Sequence, residues 1–435
     1  MTARRYLVAL VDAGGNVPPE LGAVRRLVER GHAVTVLAED ATEPEVRAAG
    51  ARFRRWHRAP NRPDRSPESD PSRDWECRNP WKLIERLIET QLVGPAGRYA
   101  DDVDDAIART RPDLVVCSMF ALGAMIAAES AGIPFDVLFP NIYLLPAEGM
   151  PPFGLGWRPA RGPLGRTRDR LVGGFSQRLW NRKGLERLNA LRAGRGLPPL
   201  AHLWDQVHRA RRELVMTSPD FDFPATMPAG VRYVGPVLDD PAWADQLWTP
   251  PPGDDPLVLV AMSSTFQDQL GCLQRIVVAL GSLTVRGLVT TGQALDPARL
   301  RAPANVTVLA SAPHRQVLEH AAVVVTHGGH GTVMKALAAG VPMLVLHHGR
   351  DQADNAARIT ARGAGIELGR TASPTAIADA VRRVLEDPSY RESAHRLGEA
   401  IRRDAASGAL VRELEELPAR AARLCGRPPD ETRAT

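Results

Sequence analysis

Apolar positions in this chain fall into short runs of four to six residues, each followed by a longer stretch with helical spacing, and the alternation recurs in both halves. In the first half Tyr6 to Val11 reads as a strand ending in small polar residues. Pro19 then opens a helix whose apolar positions Leu21, Val24, Leu27 and Val28 share one face and stop at Gly31. Ala33 to Leu37 follows as the next strand, Leu114 to Val116 precedes an alanine-rich helix ending at Gly132, and Phe135 to Phe139 gives another. The second half supplies Leu257 to Met262, Ala322 to Val325 and Met343 to Leu346. Apolar strands alternating with helices predict an α/β protein with two Rossmann-like, doubly wound domains. Gly235 to Pro241 and Thr249 to Gly253, rich in proline and acid, read as a linker between them. The expected division is 1–238, a linker at 239–256, a second domain at 257–400, and a terminal segment at 401–435.

The densest cluster of chemistry lies in the second half. The run Ala322-Val323-Val324-Val325 delivers the chain into His327-Gly328-Gly329-His330-Gly331-Thr332, which opens a helical pattern through Val333, Met334, Leu337 and Ala338 to Gly340. A glycine loop between strand and helix presents free backbone N–H groups and the positive end of a helix dipole, a combination that binds phosphate. His327 and Thr332 add side-chain donors. The next strand runs into Asp351-Gln352 and Asn355, groups suited to sugar hydroxyls. A diphosphate site beside a sugar site is the expectation.

Composition narrows the remaining classes. The chain of 435 residues is 44% hydrophobic and 24% charged, which is globular, and a net charge of +5 with no basic stripe interleaved with aromatics excludes an evident nucleic-acid partner. Lysine occurs only at 82, 183 and 335, so 52 of the 55 basic residues are arginine, a bias of GC-rich genomes. Cys77, Cys117, Cys272 and Cys425 are far apart and make no metal-ligand spacing, as expected of free thiols in a cytoplasmic protein. Residues 58 to 80 and 146 to 170 are irregular and rich in arginine and proline, and read as surface or acceptor-site loops; neither contains an evident amphipathic helix for a membrane surface.

The joint pattern His-Gly-Gly-x-Gly-Thr, Gly340-Val341-Pro342 and Asp351-Gln352-x-x-Asn355, with Pro313-His314 and Val317 to Ala321 upstream, resembles the donor signature of the UDP-glycosyltransferase family, whose bacterial members glycosylate antibiotics and other natural products. The resemblance implies the two-domain glycosyltransferase-B fold, with Glu399 to Leu424 packing back on the first domain. It also implies an inverting, metal-independent transfer of a hexose or deoxyhexose from a UDP- or dTDP-sugar to a small acceptor, with no cofactor. By the same resemblance, His327, Gly329, His330, Gly331 and Thr332 would hold the diphosphate with Ser263, Ser264 and Thr265; His314 and Val317 would lie along base and ribose; Asp351 and Gln352 would grip the sugar. Two departures bear on the donor: Ser311 stands where plant relatives place a tryptophan, and Lys335 where they place a ribose-contacting glutamate.

A third departure bears on catalysis. The family usually carries a general-base histidine in a Gly-His-x-x-Pro context, oriented by an aspartate after a later strand. Here Asn16 and Cys117-Ser118 occupy those places. An asparagine hydrogen-bonds a hydroxyl but cannot take its proton. Asp12 is the nearest acid in sequence and the candidate base, with His57, Asp136 and Glu148 as further options. An acceptor acidic enough to need orientation only is a second explanation, and a non-catalytic sugar-nucleotide sensor or partner subunit a third. A sugar-nucleotide epimerase of the same fold is the rival enzyme. Asp102-Val103-Asp104 and Asp220-Phe221-Asp222 match the Asp-x-Asp spacing of metal-dependent transferases, while adjacent His347 and His348 should point to opposite faces of an extended segment. Trp56, Trp75 and Trp81 flank the first irregular loop as core or acceptor wall.

Overall fold

The structure is a computed structural model and describes residues 3–77, 79–240, 248–263, 265–292 and 295–417. Two parallel sheets organise it. The first contains β1 (Arg5–Ala9), β2 (Ala33–Ala38), β3 (Arg52–Arg55), β4 (Leu114–Ser118), β5 (Phe135–Phe139), β6 (Arg212–Val215) and β7 (Val231–Tyr233), in the order β3-β2-β1-β4-β5-β6-β7. The second contains β8 (Leu257–Ala261), β9 (Arg286–Thr290), β10 (Val306–Leu309), β11 (Ala321–Thr326), β12 (Met343–His347) and β13 (Gly365–Gly369), in the order β10-β9-β8-β11-β12-β13.

Helices cover both faces of each sheet, which is why the central strands β1, β4, β5, β8 and β11 carry almost uninterrupted apolar residues. In the first domain these are α1 (Val17–Glu29), α2 (Glu43–Ala48), α3 (Pro80–Leu87), α4 (Ala96–Thr110), α5 (Leu122–Ser130) and α6 (Gly162–Ala193). The second has α7 (Leu270–Gly281), α8 (His314–His320), α9 (His330–Ala338), α10 (Gln352–Ala361), α11 (Pro374–Glu386) and α12 (Pro388–Ala406). A final helix, α13 (Ala409–Glu415), returns to the first domain. Its Leu410 and Leu414 join the core between α1 and the sheet, and Glu415 pairs with Arg30 at 2.9 Å and His32 at 2.8 Å.

Two expectations need correction, and a third gains detail. The boundary placed at residue 400 falls inside α12, and the crossing itself occurs at Ser407–Gly408. Residues 162–170, read as loop because of their glycines and arginines, are the first turns of α6, a helix of 32 residues. Residues 58–80 form an irregular excursion with short 3-10 turns at Pro67–Ser69 and Asp74–Glu76 before α3 begins at its end. The end of the terminal segment, with Cys425, lies outside the described residues.

The sheet order positions the chemistry. In the first sheet the winding reverses between β1 and β4, in the second between β8 and β11. Ligands of doubly wound folds bind beyond the carboxyl ends of the strands at such switch points. The loops there carry Asn16 after β1, Ser118 at the end of β4, Ser263 and Thr265 after β8, and His327 to Gly329 after β11.

Candidate active site

The loop after β11 is built around its glycines. Gly328 has φ +90°, and a Cβ there would come within 2.9 Å of Val345 and 3.0 Å of the Gln352 carbonyl. At Gly329 a Cβ would lie 2.5 Å from His327 Nε2, so the absent side chain makes room for the imidazole. Gly331 meets open space, and Gly329, the cap of α9, offers the first turn no side-chain acceptor. The amides of His330, Gly331 and Thr332 therefore end the helix as free donors. Asn355 Nδ2 ties the loop down, donating to the Gly328 carbonyl and to Asp351, both at 2.9 Å.

His327 is buried, and that burial, with His348 and Arg350 nearby, pushes its pKa down to about 3 against an opposing hydrogen bond at the Ala261 backbone. The ring is neutral throughout the physiological range, so it can offer a hydrogen bond but no positive charge. His330 also stays neutral, pushed down to about 3 by burial, and its Nε2 lies 2.9 Å from Thr217 Oγ1 of the first domain. His314 Nε2 lies 3.2 Å from Thr290 Oγ1; burial and Lys335 lower its pKa to about 4, with Asp240 opposing. Lys335 itself holds Asp240 of the linker at 2.6 Å.

Not every residue expected to face the donor does so. The Val317 side chain is wholly buried in the second-domain core, an apolar group on the inner side of α8 with nothing to offer a nucleotide. Gln352 is spent on the fold: its Oε1 accepts from the amides of His348 at 2.7 Å and Gly349 at 3.2 Å, and its Nε2 donates to Gln267 at 2.9 Å. Asp351 is half-buried, with its pKa raised by burial and moderated by Asn355. Ser263 Oγ accepts from the Thr265 amide at 3.2 Å and so shapes its loop; Ser264 lies outside the described residues.

A residue missing from the sequence reading joins the two domains. Arg350, a non-glycine at φ +57°, places its guanidinium at a junction of four loops. It pairs with Asp74 at 2.6 Å and donates to the Ala13 carbonyl at 3.2 Å and Thr265 Oγ1 at 3.3 Å. Trp75 packs edge-on against Phe266 beside it, with ring centroids 5.2 Å apart. Asp74 and Trp75 come from the first irregular loop, whereas Trp56 is core and Trp81 is exposed.

The first-domain side of the junction brings Asn16 and Ser118 together, Nδ2 to Oγ 3.4 Å, on the loops where the family's dyad would sit. Asn16 is fully employed in the loop: Nδ2 donates to the Val11 carbonyl at 2.8 Å and Glu20 Oε1 at 3.1 Å, while Oδ1 accepts from the Ala13 amide at 2.9 Å. Asp12 is a poor base. Burial alone would raise its pKa, but Arg62 at 3.2 Å and Arg65 at 2.9 Å reverse this and hold the carboxylate below its usual range. Of the further options, Asp136 pairs with Arg211, while His57 and Glu148 are exposed.

Glu20 is the carboxyl that sequence reading passed over. One helical turn after Asn16 it is completely buried, accepts from Ser118 Oγ at 2.7 Å, and leaves Oε2 without a partner. Burial, eased by Ser118 and Asn16, raises its pKa to about 8. The signal was the four-residue spacing from Asn16, which shares a helix face.

The Asp-x-Asp pairs are occupied by other work. Asp102 accepts from the amides of His57, Arg58 and Ala59, Asp104 pairs with Arg195, Asp220 with Arg403, and Asp222 with Arg358. His347 and His348 diverge as expected, one toward Glu367 at 3.1 Å, the other 2.9 Å from the Leu346 carbonyl.

With this geometry in hand, comparison with known proteins is decisive. Residues 276–417 match the C-terminal domain of the erythromycin biosynthesis protein CIII-like family. Over 419 residues the chain is 30% identical to 4'-demethylrebeccamycin synthase of Lentzea aerocolonigenes, covering 90% of this chain and 94% of that one. The chain belongs to the UDP-glycosyltransferase family. This glycosyltransferase is also 27% identical to the oleandomycin glycosyltransferase of Streptomyces antibioticus, over 94% of its own length and 90% of the relative's. Its fold matches the calicheamicin glycosyltransferase CalG4 with a TM-score of 0.73 at 25% identity, covering 97% of this chain and all of the other. The glycosyltransferase-B architecture, two facing α/β domains, is thereby established.

Proposed function

We propose that this glycosyltransferase moves a hexose or deoxyhexose from a UDP- or dTDP-sugar to a small natural-product acceptor, with inversion and without metal or cofactor. The observation that carries the reading is the open amino end of α9, Gly329 to Thr332, flanked by neutral His327 and set across the junction from Asn16 and Ser118. The likeness to 4'-demethylrebeccamycin synthase and to the oleandomycin glycosyltransferase supports the acceptor class.

In this reading the acceptor oxygen attacks the anomeric carbon from the first-domain side as the bond to the diphosphate breaks. The free amides of α9 and the His327 ring receive the charge that develops on the leaving phosphate, a preorganised stabilisation of several kcal/mol. Engagement of both Asp-x-Asp pairs in ion pairs or in hydrogen bonds from backbone amides supports transfer without a metal. With Asp12 held by arginines and Glu20 protonated, the acceptor proton leaves to solvent from a hydroxyl that is itself acidic, as in a phenol. The absent base histidine typically forfeits about 10²–10⁴-fold, which such an acceptor offsets.

The test is a mass-spectrometric screen of purified protein with UDP-glucose and dTDP-deoxysugars against phenolic, polyketide and alcohol acceptors, with and without chelator. Product on phenols with released nucleotide diphosphate, unchanged by chelator, is the expected result. Loss of product on chelation removes metal independence. Donor binding with no product on any acceptor refutes the transferase reading and leaves a sugar-nucleotide sensor.

A further inference from the structure

Six of the seven large hydrophobic side chains exposed among the described residues lie in one region of the first domain: Trp81, Phe153, Leu155, Leu164, Leu171 and Phe175. Leu164 is 87% exposed and Leu171 68%. Scattered exposed apolar residues are ordinary, but a concentration of this kind marks a contact surface. The pieces adjoin one another. Trp81 of α3 meets Phe175 of α6 edge-on at 5.0 Å, and Arg168 of α6 stacks over Trp157 at 4.1 Å, bringing the 153–157 segment against the helix.

Leu164, Leu171 and Phe175 recur at the spacing of two and one turns, so they form one stripe along the outer half of α6. The flanking positions are basic: residues 158–182 contain seven arginines and one acid, Asp169. Arg168, Arg178 and Arg182 lie three, four or seven residues from those apolar positions, on the same face, and are exposed. Apolar side chains fringed by arginines, whose stems lie along apolar surface while their heads reach outward, suit the boundary between acyl chains and anionic headgroups. A second copy of this chain would oppose arginines with arginines, which disfavours self-association through this face. No helix of the described residues is long and apolar enough to cross a membrane, so the contact is superficial.

The surface also sits at the cleft. The amides of Gly154 and Gly156 donate to Asp354 of α10 at 2.7 and 3.2 Å, three residues beyond Asp351. We propose that the outer half of α6, with Trp81 and the 153–157 segment, docks the protein on an anionic lipid surface and turns the cleft mouth toward it. Apolar acceptors would then enter from the lipid side; this consequence, unlike the docking, rests on the transferase reading.

The test is co-sedimentation of the full chain with vesicles of phosphatidylcholine alone or mixed with phosphatidylglycerol. Binding to the mixed vesicles that weakens with salt is expected. The variant Arg168→Glu/Arg178→Glu/Arg182→Glu should bind them about 100-fold less tightly, because each basic group near such a surface contributes about fivefold. Leu164→Gln/Leu171→Gln/Phe175→Gln should lose binding while its melting curve stays unchanged. No binding to mixed vesicles, equal binding to phosphatidylcholine alone, or binding by either variant equal to the parent's each overturns the proposal. Concentration-dependent dimerisation abolished by the glutamine variant overturns it in favour of a second copy. None of these outcomes depends on whether sugar transfer is observed.

Discussion

Glu20→Gln should stabilise the protein by an amount that grows with pH. The carboxyl is completely buried, no cation among the described residues lies against it, and its pKa stands at about 8 against an ordinary 4.5. A group whose folded-state pKa is raised stabilises fully below the unfolded value and loses that contribution as pH rises through the folded one. Below pH 4.5 both states are protonated and Glu20 is neutral in effect. Above it the unfolded chain ionises while the fold retains its proton, so stability falls by about 1.4 kcal/mol per pH unit. The loss at pH 7 is about 3 kcal/mol, approaching about 5 kcal/mol above pH 8. The amide that replaces the carboxyl has no proton to lose. Its oxygen keeps the bonds from Ser118 and Asn16, and its unpartnered nitrogen adds a fixed offset of about 1–3 kcal/mol that does not vary with pH. Urea unfolding of both proteins at pH 5, 6, 7 and 8 separates the two contributions, because only the slope reports the buried proton. The variant should gain about 4 kcal/mol relative to the parent between pH 5 and pH 8. Parallel curves, differing by less than about 1 kcal/mol across that range, would mean that Glu20 is ionised in the fold and that the acid beside Asn16 is available as a base.

Other perturbations probe the donor side and the junction. Arg350→Ala removes the group that joins Asp74, the Ala13 carbonyl and Thr265, and kcat/KM for the donor should fall on the order of 100-fold, whereas an unchanged value removes Arg350 from the site. His327→Ala should weaken donor binding and turnover together by about 10- to 100-fold. Because His327 is neutral above about pH 3, donor affinity in calorimetry should show no titration from this ring between pH 5 and 9; a titration near 6 would contradict its burial. Gly329→Ala sets a methyl 2.5 Å from the His327 ring and should reproduce much of the His327→Ala loss, with donor KM as the readout.

Much of this protein was written in local pattern. Uninterrupted apolar runs at β1, β4, β5, β8, β11 and β12 require burial on both faces, and helices between them leave few arrangements other than parallel doubly wound sheets. The glycine loop after β11 was equally legible as a conformation, because glycines at 328 and 329 and the helix start at His330 are contiguous and their conformations local. The first turns of α6 were not, since their glycines and arginines look like loop, and a helix that leaves apolar residues in water breaks the amphipathic rule by which helices are recognised.

What lay beyond the sequence is whatever depends on residues far apart in the chain. Asn16 and Asp12 were visible as candidates, but only folding shows that Asn16 is committed to Val11, Ala13 and Glu20, and that Arg62 and Arg65 neutralise Asp12. Glu20 became chemically unusual because Ser118, 98 residues away, closes over it where no cation among the described residues lies against it. Arg350 meets Asp74 across 276 residues of chain. Charge and hydrogen-bond state belong to surroundings, and surroundings are assembled by the crossing of two domains; periodicity, which acts over a few residues, determines the elements but not what faces them.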